Sequence, residues 1–314
     1  SRSSDYSLYS ITYNNPYFTV DGVSRGVKLY YQSSDYDSDD IEDYQLDKAG
    51  LELSYGYPIS DSESITFSAA VQNTSIDLSD DPSLESEYFV DTYGDEFNDF
   101  IASAVYSDSD LIGGILPTNG YATSVSLRMA TPGSDQQYYK VGVTSEKYWN
   151  IDNSNLWLFH VKGRFGYGNG YGDSDYLPFY ENYYAGGIGS VRGYSSSSLG
   201  PQNTYSDDDS DAMGGNILMV GTAEIIFPLP MVEDHKSVRT ALFLDGGSVF
   251  TDSCYSVSEN CTAGISADEF RYSIGLSWTW ITPIAPLSFN IAKTLNADSD
   301  DDTDFFQFRL GTTF

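Results

Sequence analysis

The sequence predicts an all-β fold, a transmembrane antiparallel β-barrel, on three observations. The first is period-two alternation: segments of about ten residues carry aromatic and aliphatic side chains on one face and charged or small ones on the other. The second is punctuation. Short, turn-like connections alternate with longer, mostly acidic ones, which is the asymmetry of outer-membrane barrels. The third is composition: the 314 residues include 27 Tyr, 17 Phe and 4 Trp, yet only 40% are hydrophobic. No apolar run approaches the ~18 residues of a spanning helix. The best candidate, Ile217 to Phe227, contains Glu224 and runs into Pro228. A helical membrane protein is therefore excluded. A disordered acidic chain is also excluded, because such chains are poor in aromatics. With 15 basic and 46 acidic residues the net charge is −31, which argues against a nucleic-acid partner.

About thirteen strands are expected. Residues 6–13 and 24–35 are rich in tyrosine and flank the turn-like stretch Asn14–Val23. Residues 49–57 and 64–74 flank Pro58–Glu63, and 99–107 and 122–131 follow. Residues 138–149 and 155–167 flank Asn150–Ser154. In the second of these, Trp157, Phe159, Val161 and Phe165 share one face, with His160, Lys162 and Arg164 on the other. Residues 215–227 and 237–250 flank Pro228–Lys236. The clearest alternation lies in 269–281: Phe270, Tyr272, Ile274, Leu276, Trp278 and Trp280 against Arg271, Ser273, Gly275, Ser277 and Thr279. Residues 286–293 come after Thr282–Ala285. The final strand, 305–314, sets Phe306, Phe308, Leu310, Thr312 and Phe314 against Gln307, Arg309, Gly311 and Thr313. A soluble sandwich also alternates. Here the apolar faces carry aromatics near strand ends and the opposite faces carry small residues, as a lipid girdle and a crowded lumen require.

The long connections are 36–48, 75–98, 168–214, 251–268 and 294–304. Their acidic runs, Asp35–Asp43, Asp207–Asp209 and Asp298–Asp302, are expected to be solvated loops, and none has EF-hand spacing. Two connections break the pattern: Asp108–Tyr121 is long on the short side, and Pro132–Gln137 is short on the long side. Single-chain barrels of this class have an even strand count with both termini on one side, so an odd count predicts strands missing upstream. A truncated chain is the favoured reading; a miscount by one is the other. Ser1 to Tyr9 is polar and has no signal-peptide core.

Little points to covalent chemistry. His160 and His235 are the only histidines and lie far apart, so neither a hydrolase arrangement nor a zinc site is expected. No catalytic residue, metal or cofactor is assigned. Cys254 and Cys261 could close a small loop in an oxidising compartment; two independent thiols are the alternative. The connection 168–214 stands apart, since a loop this long between strands is usually functional. Within it Gly186, Gly187, Gly189 and Gly193 permit turns and close approach. Arg192 has no acidic neighbour in sequence, so its partner must come from elsewhere in the fold. By alternation, Glu224 and Asp245 face the lumen.

The segment Phe179–Pro201, FYENYYAGGIGSVRGYSSSSLGP, carries Val191, Arg192, Gly193 and Tyr194. It resembles the central external loop of the BamA family of outer-membrane assembly factors. NPYFTVDG at 15–22, YYKV at 138–141, GGN at 214–216, SVRT at 237–240 and FQFRLGTTF at 306–314 match the family in the same order. The resemblance covers essentially the whole chain. It implies that residues 1–314 are the later part of a barrel of about sixteen strands, without the first strands or the periplasmic POTRA domains. It implies that Arg192 is held inside the barrel by Glu224 and Asp245. It also implies a seam beside the last strand, with Phe306, Phe308, Leu310, Gly311 and Phe314, and a terminal sorting signal. The expected location is the bacterial outer membrane. The expected function is folding and insertion of outer-membrane proteins, with unfolded barrel substrates, accessory lipoproteins bound through the periplasmic domains, and membrane lipid as partners. On this reading the isolated chain would not insert barrels by itself. The alternatives are a two-partner secretion transporter and a passive porin.

Overall fold

The computed structural model describes residues 5–36, 41–152, 156–205, 211–229, 237–258, 261–299 and 301–311. Thirteen strands form one antiparallel sheet in chain order. They are β1 (Asp5–Asn15), β2 (Ser24–Asp35), β3 (Tyr44–Pro58), β4 (Glu63–Leu78), β5 (Glu96–Ser109), β6 (Gly120–Ala130) and β7 (Tyr138–Asn150). Then come β8 (Leu158–Gly170), β9 (Ile217–Phe227), β10 (Val238–Phe250), β11 (Arg271–Ile281), β12 (Pro286–Thr294) and β13 (Phe306–Leu310). Among the described residues β1 pairs only with β2, and β13 only with β12.

The outward faces carry Leu29, Leu51, Val71, Phe100, Leu127, Leu244, Leu276 and Ile291, all exposed. An apolar band this extensive on every strand calls for hydrocarbon around it. No described helix is long and apolar enough to cross a membrane. Near the short turns the outer wall carries rings: Trp149 stacks on Phe159 at 5.6 Å, and Phe289 lies 5.1 Å from both Trp278 and Phe308. Amphipathic rings at this level suit a membrane interface.

Several strands run further toward the long loops than the sequence pattern predicts. β3 begins at Tyr44 rather than 49, β4 continues to Leu78 rather than 74, and β5 begins at Glu96 rather than 99. The alternation keeps its phase here, but its polarity inverts. Along β4 the outward series passes from exposed Val71 to Asn73 and Ser75, while the inward series passes from Gln72 and Thr74 to buried Ile76. On β3 the inward Tyr44 and Leu46 are buried and the outward Gln45 is exposed. Past the lipid, the outer face meets water and the inner face meets protein.

That protein is a cap. The stretch 75–98, expected as an irregular loop, contains α1 (Leu84–Tyr93). The Ser83 side chain caps its start by accepting from the Ser86 N–H at 3.2 Å. Gly94, at φ 94°, ends it and donates to Val90 O at 2.8 Å. Phe89 of α1 packs with Tyr44, Leu46, Ile76, Phe97, Phe179 and Tyr180. The acidic run 35–43 is likewise not wholly solvated. Glu42 is buried, and its carboxylate accepts from Ser83 N (2.9 Å), Ser86 Oγ and Asn203 Nδ2 (2.9 Å). Asp301, from another run expected to be solvated, is tied to Arg271 at 2.5 Å.

At the opposite end the β5–β6 connection turns inward, which accounts for its length. Leu111 packs against Tyr148, Leu158, Ile226 and Ala241, and Arg239 donates to the Pro117 carbonyl. The described parts of the β8–β9 connection, 171–205 and 211–216, lie in the lumen between these ends. Val191, Tyr194, Ala185 and Leu199 pack there with Leu218, Val220 and Val249.

Candidate functional site, a plug held by two ionic clasps

The glycines of the plug set the position of its tip. Gly186 and Gly187 adopt φ values of 110° and 81°, open to residues without a Cβ. Gly187 donates to Tyr194 O at 3.1 Å, and Ser190 donates to Gly187 O at 3.1 Å. The resulting tight loop carries Val191, Arg192, Gly193 and Tyr194 against the inner wall.

The β9–β10 register places Glu224 opposite Phe243, and Thr222 opposite Asp245. Both acids therefore face the lumen, two pairs apart along the ladder. Arg192 enters between them. Its Nε and Nη2 donate to Asp245 Oδ2 and Oδ1 at 2.6 and 2.8 Å, and its Nη1 donates to Glu224 Oε1 at 2.8 Å. The Arg192 backbone N–H adds a bond to Asp245 Oδ2 at 3.1 Å. The guanidinium lies 3.5 Å from the centroid of the Phe243 ring. The planar fork is thus fixed in orientation as well as charge. The other Glu224 oxygen faces His160 Nδ1 at 2.9 Å, and His160 Nε2 faces Glu146 at 3.3 Å. The His160 ring stacks on Tyr148 at 4.0 Å. The polar chain thus runs from the plug through β9 and β8 to β7.

A second clasp, which the sequence reading missed, holds the plug from the other side. Glu181 sits on the short 3₁₀ turn Phe179–Glu181. It pairs with Lys48 of β3 at 2.8 Å and Lys140 of β7 at 3.1 Å. Lys140 also donates to the Glu181 carbonyl at 2.5 Å. Burial alone would raise the Glu181 carboxyl; the ammonium groups of Lys48 and Lys140, with Arg128, outweigh it and hold it well below the usual carboxylate range. A usable signal was present: an acid inside the aromatic run FYENYY, beside the motif, in a chain with only 15 basic residues. Lys140, moreover, lies in the YYKV match.

The described residues among those expected at a seam take no part in either clasp. Phe306, Phe308 and Leu310 point outward and are exposed. Gly311 has φ 108°, and Phe314 lies outside the described residues, as does His235. The inward neighbour Gln307, which the sequence reading set only on the polar face, is buried against the plug. Cys254 and Cys261 form a disulfide within the β10–β11 connection. Among the described residues no three or more His, Cys, Asp or Glu side chains are grouped to hold a metal ion.

A model of the Omp85 superfamily domain matches residues 1–314. The chain is 31% identical over 339 aligned residues to the outer membrane protein assembly factor BamA of Neisseria meningitidis, covering all of this chain and 42% of that protein. Among solved structures, BamA of Haemophilus ducreyi lacking POTRA domains 1–3 superposes with a TM-score of 0.88 at 28% identity, over 97% of this chain and 61% of that one. CdiB of Acinetobacter baumannii superposes with a TM-score of 0.59 at 13% identity, over 97% of this chain and 49% of that one, a likeness of fold alone. The chain thus spans less than two thirds of either BamA protein.

Proposed function

The chain belongs to the Omp85 superfamily and is an outer-membrane β-barrel; from that premise we propose that it is the barrel of an assembly factor that folds and inserts other outer-membrane proteins. The observation that carries this reading is similarity along the whole chain to a protein named for that activity. The fold supplies a physical means. A strand with one unpaired edge presents backbone N–H and C=O groups, and in hydrocarbon these are costly unless another strand pairs with them. Among the described residues β13 pairs only with β12, over Phe306 to Leu310, whereas β3 and β4 pair from Tyr44 to Pro58. An unfolded barrel substrate would add its own strand at this seam by β-augmentation. The plug, gripped at Arg192 by Glu224 and Asp245, keeps the wall beside the seam in shape. The substrates are unfolded outer-membrane proteins. Accessory lipoproteins act through periplasmic domains, and membrane lipid completes the surroundings. No bond is made or broken, so the protein is not an enzyme.

The test is site-specific crosslinking in the protein that carries this barrel, reconstituted in vesicles with a small unfolded barrel substrate. A cysteine at Phe306 or Leu310 is expected to crosslink to a terminal strand of the substrate, and one at Leu127 of β6 is not. Equal crosslinking at both sites would overturn the seam. A large steady conductance that is indifferent to Arg192 substitution, with no crosslink, would favour a porin.

A further inference from the structure

We propose that Gln307 is a positioning residue that couples the plug motif to the last strand, and so sets how β13 offers its free edge. The inference rests on the seam reading above and adds the contact that controls it. Gln307 is the inward residue between two lipid-facing phenylalanines, Phe306 and Phe308, and it is buried. Its carboxamide brackets the motif backbone: Nε2 donates to Tyr194 O at 2.7 Å, and Oε1 accepts from Gly193 N–H at 3.3 Å. One side chain thereby satisfies a donor and an acceptor of a chain segment that has left any sheet.

Two further bonds follow the same line. Ser195 donates to Asp302 O at 2.9 Å, and Asp304 donates to Gly193 O at 3.0 Å. Tyr194 and Thr303 form an antiparallel bridge. Between these anchors the motif crosses β11 and β12 at close range. Tyr194 OH reaches Tyr272 O at 3.4 Å, and a Cβ on Gly193 would lie 2.9 Å from the Ala292 Cβ. Gly193, at φ 93°, can adopt this path where other residues strain. The motif is therefore a brace across the inner wall. It is fixed by Arg192 at β9 and β10, and by Gln307 at β13.

Among the described residues the strand it holds has the shortest ladder of the sheet, with Phe306 and Phe308 in ring contact with Phe289. Beyond the five paired residues, the described backbone bonds next to β13 are Ala292 N–H to Phe305 O at 3.0 Å and Gly311 N–H to Pro286 O at 2.8 Å. Loosening the brace should free β13 while leaving the rest of the wall intact, because the other ladders are long and mutually supported.

The experiment is backbone amide hydrogen exchange on the reconstituted protein and its Gln307→Leu and Gln307→Glu variants. Folding is verified by retained heat-modifiable mobility on a gel. In Gln307→Leu the amides of 305–310 should exchange about thirtyfold faster, equivalent to about 2 kcal/mol at about 1.4 kcal/mol per tenfold, as expected for two lost hydrogen bonds, with β3–β8 unchanged. Gln307→Glu sets a carboxylate against Tyr194 O at neutral pH; acidification, which protonates it, should restore the donor and bring the protection of 305–310 back to that of the parent at the same pH. A purely space-filling role would not produce that recovery. Unchanged exchange at 305–310 in folded Gln307→Leu, or no acid recovery in Gln307→Glu, would overturn the brace. Faster exchange without a substrate crosslink at Phe306 or Leu310 would retain the brace and overturn the seam instead.

Discussion

The two clasps of the plug are mirror images in charge and unlike in geometry. At one, a loop arginine enters a wall of acids; at the other, a loop glutamate enters a wall of lysines. The arginine uses a rigid fork, a backbone N–H and a ring face, so each of its contacts fixes direction. The lysines are mobile point charges on long stems, one 5.4 Å from the Tyr180 ring centroid and the other 4.6 Å from that of Tyr183. They neutralise Glu181 without dictating its orientation. The difference points to a division of labour: the arginine clasp aligns the motif with the C-terminal wall, and the lysine clasp anchors the root of the plug to β3 and β7.

The sharpest way to break that contrast is Asp245→Leu. Asp245 is fully buried and takes three of the four hydrogen bonds that Arg192 makes to the wall. Leaving the guanidinium half-unpaired should cost roughly 3–5 kcal/mol, less where lumen water reaches it. The loss is read as a lower urea midpoint in detergent. Arg192→Lys keeps the charge and should still lose most of that, because an ammonium cannot form the fork. A midpoint equal to that of the parent in Arg192→Lys would make charge, not orientation, the basis of both clasps.

Glu181→Gln comes next, at about 1–3 kcal/mol, since each lysine can turn its flexible stem toward water. A loss as large as that of Asp245→Leu would erase the proposed distinction. The smallest effect is a pH dependence. The Glu181 carboxyl is depressed below its ordinary 4.5, so its contribution is complete above pH 4.5 and fades as pH falls through the folded value. Glu42 in the cap behaves oppositely: burial lifts its carboxyl above 4.5 against the Ser86 and Ser83 hydrogen bonds, so its contribution is complete below 4.5 and fades as pH rises through the folded value. Urea midpoints measured across pH 3–8 should therefore show Glu181→Gln flattening the acid limb and Glu42→Gln flattening the rise side. Parallel curves for both variants and the parent would remove the electrostatic account.

The strands were legible because one face meets hydrocarbon. Tyr272, Ile274 and Leu276 point outward, and Arg271 and Ser273 inward, as their spacing requires. The pattern failed where the surroundings changed. At Ile76, Leu46 and Tyr44 the apolar residues turn inward onto α1 and the plug, so an apolar-out template ends those strands early. The helix itself was hidden because it lies in 75–98, which read only as a long, mostly acidic connection. The Arg192 clasp was anticipated from family resemblance, with alternation placing both acids on the lumen face. Glu181 had no equivalent guide.

The amino-acid order alone determined which side of β8, β11 and β13 faces lipid, because a two-residue repeat is local and the membrane rewards only one phase of it. Tertiary structure alone decided which lysines meet Glu181 and which strand meets Gly193. Lys48 and Glu181 are 133 residues apart, and Gly193 and Gln307 are 114 apart. Such pairings leave no periodic trace in the chain. They exist only because a loop folds back through the lumen of the sheet that curves around it.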